Sequence, residues 1–247
     1  MEETLTATRP AASPARQELD CRERNAFKRG LAVIEVWGRS NSFNVQKVLW
    51  CCEELEVSYR RHDAGGLFGG TDEHEYLAAN PTGLVPTISD EGFTLWESNA
   101  IVRYLSAKHG AGTLWPDDPA ERALADKWMD YQLGTFFPAF KNALIGLVRT
   151  PPEQRNEEKI EASVRATADV LPVLDGHLGE HDYVAGSSLT MGDVALGSLV
   201  YRWLELDIER PDFPSLQAWC GRLAERPAYQ KTVMVSFRME DPPRSGA

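Results

Sequence analysis

The stretch "NPTGLVPTISDEGFTLWESNAIVRYL", residues 80–105, carries three local signals in a row. The runs VPTISD and FTLWE lie on either side of Asp90-Glu91-Gly92, the pattern of two strands joined by a tight turn. "SNAIVRYLSAKHG" then places apolar residues at helical spacing and stops at Gly110. Toward the N-terminus, "AVIEVW" at 32–37 is a β-branched run bounded by Gly38, a strand signal. After it, Val45, Val48, Leu49, Cys52 and Leu55 recur at helical spacing. "VSYRRHDA" reads as a second strand and "DEHEYLAAN" as a short helix. The predicted order is βαβαββα, an α/β unit over residues 32–110.

Toward the C-terminus, past a linker at 111–120, only helices are predicted, over 121–238. "AERALADKWMDYQLGTFFPAF" should kink or end at Pro138. Pro151 and Pro152 mark the start of the next helix, with acidic residues in its first turn. "SLTMGDVALGSLVYRWLEL" opens with Thr190 three residues before Asp193, which resembles a capping box and reads as structural. "FPSLQAWCGRLAERP" closes the set. Residues 1–31 lack apolar periodicity and read as a mobile extension, and 239–247 as a tail.

Composition narrows the function. Of 247 residues, 43% are hydrophobic, enough for a substantial core. Acidic residues outnumber basic ones by 37 to 26, and the net charge of -11 repels a phosphate backbone, so nucleic acid is not an expected partner. No apolar run approaches the roughly 20 residues that cross a bilayer and no secretory signal is visible, so a cytoplasmic protein without a membrane partner is expected. Cys21, Cys51, Cys52 and Cys220 have neither zinc-ligand nor redox spacing, and no metal is expected.

Three segments, "SFNVQKVLWCCEEL" (42–55), residues 80–105 and "LTMGDVALGSLVYRW" (189–203), occur in an order that resembles the soluble glutathione S-transferase family, bacterial type with a serine-type rather than cysteine-type site. The resemblance implies a thioredoxin-like N-terminal domain followed by an all-α domain. It further implies glutathione as co-substrate, a small hydrophobic electrophile as second substrate, and a homodimer. Two alternatives stay open: a non-catalytic module of the same fold that binds a protein partner, and a peroxidase, dehalogenase or isomerase using the same site.

The resemblance assigns residues as well. The family's cis-proline falls on Pro86, and the Val85 backbone would pair with the cysteinyl part of glutathione like an added strand. The plainer alternative is a proline at the first residue of a strand. Ser98 would receive the γ-glutamyl carboxylate at a helix start, and Glu97 the amino group, unless Ser98 is only a cap. Asn99 stands where many relatives carry Arg. The glycyl carboxylate has no evident donor, and Arg39 is the one substitute. "GGLFGGT" lacks the Lys-Ser/Thr ending of a phosphate loop and reads as a flexible border of the site.

Such a site must keep a thiol ionised. Lowering a thiol pKa from about 9 to about 6.5 takes roughly 3.4 kcal/mol. One hydroxyl bond to an anion supplies about 1.5 to 3 kcal/mol and a helix N-terminus about 0.3 to 2. Aligned on the helix, Ser42 is the expected donor and Asn44 the reserve, against the alternative that Ser42 merely caps. Cys51 and Cys52 lie about 13 to 15 Å further along the helix, too far for activation, so packing is their expected role. For the electrophile pocket the family positions point to Met129, Phe136 and Phe137.

Overall fold

A computed structural model describes residues 33–237. The expected extension at 1–31 and tail at 239–247 lie outside the described residues. The first half runs β1 (Ile34–Trp37), α1 (Phe43–Glu54), β2 (Tyr59–His62), α2 (His74–Ala79), β3 (Thr87–Asp90), β4 (Phe93–Trp96) and α3 (Ser98–His109). This is the predicted order, and it is the thioredoxin-like arrangement. The sheet order is β2-β1-β3-β4, with β1 parallel to β2 and antiparallel to β3, and β3 antiparallel to β4.

Local chemistry fixes these elements. β1 alternates buried Ile34 and Val36 with partly exposed Glu35 and Trp37, the period of a strand with one face on the core. The hairpin turn is narrower than expected. Asp90 pairs with Phe93, leaving only Glu91 and Gly92, both at positive φ (52° and 88°), as a type I′ turn requires.

The second half contains α4 (Pro119–Tyr131), α5 (Phe137–Val148), α6 (Glu157–Leu178), α7 (Met191–Glu205), α8 (Pro214–Ala224) and α9 (Pro227–Thr232). Pro138 does not end its element. A π turn at Gln132–Phe136 joins α4 to α5, and Pro138 falls in the first turn of α5. The wider turn accommodates the amide that proline lacks. α6 starts later than Pro151-Pro152, which precede it in a 3-10 turn; its cap is Asn156, whose side chain accepts the Lys159 N–H at 2.9 Å. The expected Thr190/Asp193 capping box is present at α7. Beyond α8 the chain restarts at Pro227 as the short α9, an element without a separate expectation in the sequence.

The two halves share one core. α7 is buried along most of its length and packs against α1 and α4. A Cβ on Gly197 would lie 2.7 Å from Trp50 Cζ3, so the close approach of α1 to α7 depends on that glycine. Trp50 meets the Tyr229 ring edge-on at 4.8 Å, and the Tyr229 hydroxyl donates to the Gly197 carbonyl at 3.1 Å. The first half is thereby held rigidly against the helices that face it.

Candidate active site

The candidate site forms where β1 runs into α1. A Cβ on Gly38 would sit 2.4 Å from Val45 Cγ2 and 3.2 Å from Val85 Cβ, so only glycine lets this junction reach Val85. Ser42 occupies the N-cap position with extended backbone, and its carbonyl accepts the Gln46 N–H at 2.8 Å. Its side chain makes no capping hydrogen bond, although the residue is only 4% exposed. The capping alternative therefore does not describe this serine. Among the described residues its hydroxyl has no hydrogen-bond partner, and it sits at the positive end of a helix of 12 residues.

Opposite lies the loop before β3. Asn80 is buried and organises it: its amide donates to the Leu84 carbonyl (2.8 Å) and to Thr87 Oγ1 (2.9 Å), while its carbonyl accepts from the Thr82 N–H (3.0 Å) and hydroxyl (2.7 Å). The Tyr76 hydroxyl adds a bond to the Leu84 carbonyl at 2.6 Å. The Val85–Pro86 peptide is cis. Among the described residues the Val85 main chain has no hydrogen-bond partner, so its N–H and C=O remain available to an extended ligand backbone.

The third element is the entry to α3. Glu97, not Ser98, is the N-cap, and it holds φ at 70°, a left-handed conformation that costs a non-glycine residue roughly 1 to 3 kcal/mol. Ser98 is the first helical residue, so the reading of Ser98 as a cap is corrected. The Ser98 hydroxyl donates to Asn44 Oδ1 at 3.1 Å and lies 3.4 Å from the Lys47 ammonium. Lys47 is 1% exposed and donates also to Asn99 Oδ1 (3.0 Å) and Gln132 Oε1 (2.8 Å). Burial pushes this ammonium down to about 7, with Glu97 opposing and Arg202 reinforcing the shift. Sequence reasoning passed over Lys47, Gln132 and the fate of Asn99. The available signal was that Lys47 is the only charged residue between Phe43 and Cys52.

Arg39 is 7% exposed and is not among the residues hydrogen-bonded to Ser98 or Lys47. It lies over Gly66, where an added Cβ would come within 3.1 Å of its Cδ, and it lines a small cavity with Asn41, Phe43, Arg149 and Arg202. Of the expected pocket residues, Met129 and Phe136 are fully enclosed in the core and cannot line a pocket. The π turn keeps Met129, Phe136 and Phe140 together on the inner side, with Phe136 and Phe140 stacked at 5.8 Å. Phe137 remains partly exposed, and its ring lies 5.2 Å from that of Phe43, the residue after Ser42.

Two family models match the chain: the glutathione S-transferase N-terminal domain over residues 41–108 and the glutathione S-transferase C-terminal domain over 124–227. Glutathione S-transferase GstB of Escherichia coli is 43% identical over 205 residues, covering 82% of this chain and 99% of that one. A theta class glutathione S-transferase from Xanthomonas axonopodis, solved with glutathione bound, superposes with a TM-score of 0.81 at 47% identity, over 84% of this chain and all of that one. Glutathione transferase F7 of Populus trichocarpa superposes with a TM-score of 0.75 at 22% identity and shares the fold. With both of its halves matched and a relative aligned nearly end to end, the chain belongs to the glutathione S-transferase family.

Proposed function

We propose that this protein is a glutathione transferase in which the Ser42 hydroxyl stabilises the glutathione thiolate for attack on a small hydrophobic electrophile. The single observation that carries the reading is the unspent Ser42 hydroxyl, enclosed at the start of α1 and free of any capping bond. It donates to the sulfur and stays protonated, supplying with the helix end roughly the 3.4 kcal/mol that a thiol pKa near 6.5 demands. The Val85 N–H and C=O receive the cysteinyl backbone of the tripeptide. Ser98 takes the γ-glutamyl carboxylate, and the exposed Glu97 carboxylate its amino group. Lys47 lies beneath Ser98 and supplies the positive charge that Asn99 lacks. No metal enters this reading.

Phe137 and Phe43 form the apolar wall beside the sulfur, where the electrophile lies. A homodimer is part of the proposal, supported by Phe93 and Leu124, which are 50% and 43% exposed in the single chain. So is a cytoplasmic location, which suits the free thiols of Cys51, Cys52 and Cys220.

Calorimetry with glutathione, together with turnover of an aryl halide by the native protein and by Ser42→Ala, tests the reading. Ser42→Ala is expected to bind glutathione nearly as well while kcat falls by about 10 to 100-fold. Unchanged turnover in Ser42→Ala would remove the serine from its role, and absence of glutathione binding at millimolar levels would remove the function itself.

A further inference from the structure

With no hydrogen bond of its own among the described residues, the Ser42 hydroxyl is placed by the main chain around it. That main chain is held carbonyl by carbonyl. The Arg39 carbonyl accepts the Ser42 N–H (3.2 Å) and the Ser40 carbonyl accepts Gln46 Nε2 (3.0 Å), both bonds made between β1 and α1. The carbonyls on either side of Ser42 are held from the helical half. Asn41 accepts Arg202 Nη2 at 3.1 Å and Phe43 accepts the Ser198 hydroxyl at 3.1 Å, across 161 and 155 residues of chain. Ser198 and Arg202 are four residues apart on one face of α7, and Arg202 Nη1 donates to the Ser198 carbonyl at 2.8 Å. Gln46 closes the frame: its Nε2 holds Ser40 while its Oε1 accepts Arg202 Nη1 at 2.8 Å.

Stability alone does not account for this arrangement. Gln46 and Ser198 are fully enclosed and Arg202 is 2% exposed. Among the described residues the Arg202 guanidinium bonds only to neutral oxygens, and it lies over the rings of Phe43 and Phe237 at 5.7 and 5.0 Å. Burial, reinforced by Arg149 and Arg39 and opposed by Tyr229 and Tyr201, brings its pKa down to about 9, so it still carries its charge at neutral pH. A buried cation without a counter-charge is a poor stabiliser, because no ion pair offsets its desolvation. A guanidinium is, however, a planar fork whose donors diverge at fixed angles. Bonding Asn41 through one nitrogen and Gln46 through the other fixes direction as well as distance. What it fixes is the backbone from which the Ser42 side chain projects.

We propose that Arg202, Gln46 and Ser198 form a positioning clamp that holds the Ser42 hydroxyl on the glutathione sulfur, so that α7 of the helical half sets how well the first half stabilises the thiolate. The inference rests on the transferase reading of Ser42. In this role the three residues act through Ser42 and not on the substrate. A hydroxyl displaced by about 1 Å loses most of its bond to the sulfur, while the contacts of the tripeptide with Val85 and Ser98 stay in place. Loss of the clamp therefore reaches the chemical step before it reaches binding.

Arg202→Met and Gln46→Met keep much of the buried volume, and Ser198→Ala, the mildest change, removes only the bond to the Phe43 carbonyl. Each is made alone and together with Ser42→Ala. Glutathione affinity is read by calorimetry, kcat with an aryl halide, and the pKa of the bound thiol from thiolate absorbance against pH. Alone, Arg202→Met should lower kcat by about tenfold or more and the other two by about threefold each, with the bound thiol titrating at higher pH and glutathione affinity within about twofold. On top of Ser42→Ala, each should cost about twofold at most, because the group they act through is gone. Ser198→Ala retains the Arg202 charge and the core packing, and carries the same test where Arg202→Met fails to fold. Equal losses of kcat with and without Ser42, or weakened glutathione binding with kcat and thiol pKa unmoved, would overturn the clamp alone. A Ser42→Ala protein as active as the native one would overturn the transferase reading of Ser42 and the clamp with it.

Discussion

The Lys47 ammonium and the Ser98 hydroxyl lie 3.4 Å apart although 51 residues separate them in the chain. The contact ties α1, which carries Ser42, to α3, whose first residue is Ser98. Neither side chain is more than 6% exposed, so water contributes little to screening the lysine. A buried ammonium held by neutral oxygens, with no carboxylate at contact distance among the described residues, responds strongly to any anion placed beside it.

Binding of glutathione should therefore be coupled to protonation of Lys47. Burial holds that group at about 7, and an arriving γ-glutamyl carboxylate raises it, so binding at about pH 8 takes up a proton. S-methylglutathione, which has no thiol to titrate, is the suitable ligand for calorimetry in buffers of different ionisation enthalpy. Uptake should be present in the native protein and absent in Lys47→Met. Equal uptake in both would mean that Lys47 does not sense the ligand.

Asn44 should act on glutathione through Ser98, because its side-chain carbonyl accepts the Ser98 hydroxyl at 3.1 Å, the contact of a positioning residue. Asn44→Ala should raise the KM for glutathione by about 3 to 10-fold and leave kcat within about twofold, the signature of lost ground-state binding. A raised thiol pKa in Asn44→Ala, read from thiolate absorbance against pH, would instead make Asn44 the donor.

What the sequence made legible follows its local chemistry. The strands, the hairpin around Asp90-Glu91-Gly92 and the Thr190/Asp193 cap all rest on residues within a few positions of each other, and each is present, the hairpin with a turn one residue shorter than expected. Arg39 and Lys47 depend on partners elsewhere in the chain. Lys47 reaches Gln132 across 85 residues, and Arg39 shares its cavity with Arg149 and Arg202, pairings that periodicity within one helix does not encode. Family position alone assigns Met129 and Phe136 to the pocket; it does not encode burial, and the structure encloses both side chains in the core.

Cys51 and Cys52 should be chemically silent in the folded protein. Both are fully enclosed, and burial raises the Cys51 thiol to about 12 and Cys52 well above its ordinary value, so almost no thiolate exists near neutral pH. With Cys21 and Cys220 replaced by serine, an aromatic disulfide reagent should release colour only as urea unfolds the chain. Rapid labelling of native protein would show that α1 opens locally.

Asp193 should govern both stability and its pH dependence. The fully buried carboxylate accepts four bonds: from the Val184 N–H (3.0 Å), the Thr190 N–H (2.8 Å), the Thr190 hydroxyl (3.1 Å) and Trp219 Nε1 (2.9 Å). Asp193→Ala leaves those donors unmade and should cost about 3 to 5 kcal/mol in urea unfolding. Burial outweighs the four bonds and lifts the carboxyl pKa from its ordinary 3.8 to about 6. Between those values the folded chain keeps a proton that the unfolded chain releases, so this group's contribution to stability falls as pH rises through the window and is level above it. Relative to Asp193→Asn, native stability should decline from about pH 4 to about pH 6 with a slope approaching 1.4 kcal/mol per unit, one proton's worth. Parallel profiles for the two proteins would mean that the four donors hold the carboxylate ionised despite its burial, and that Asp193 contributes as a charged cap throughout.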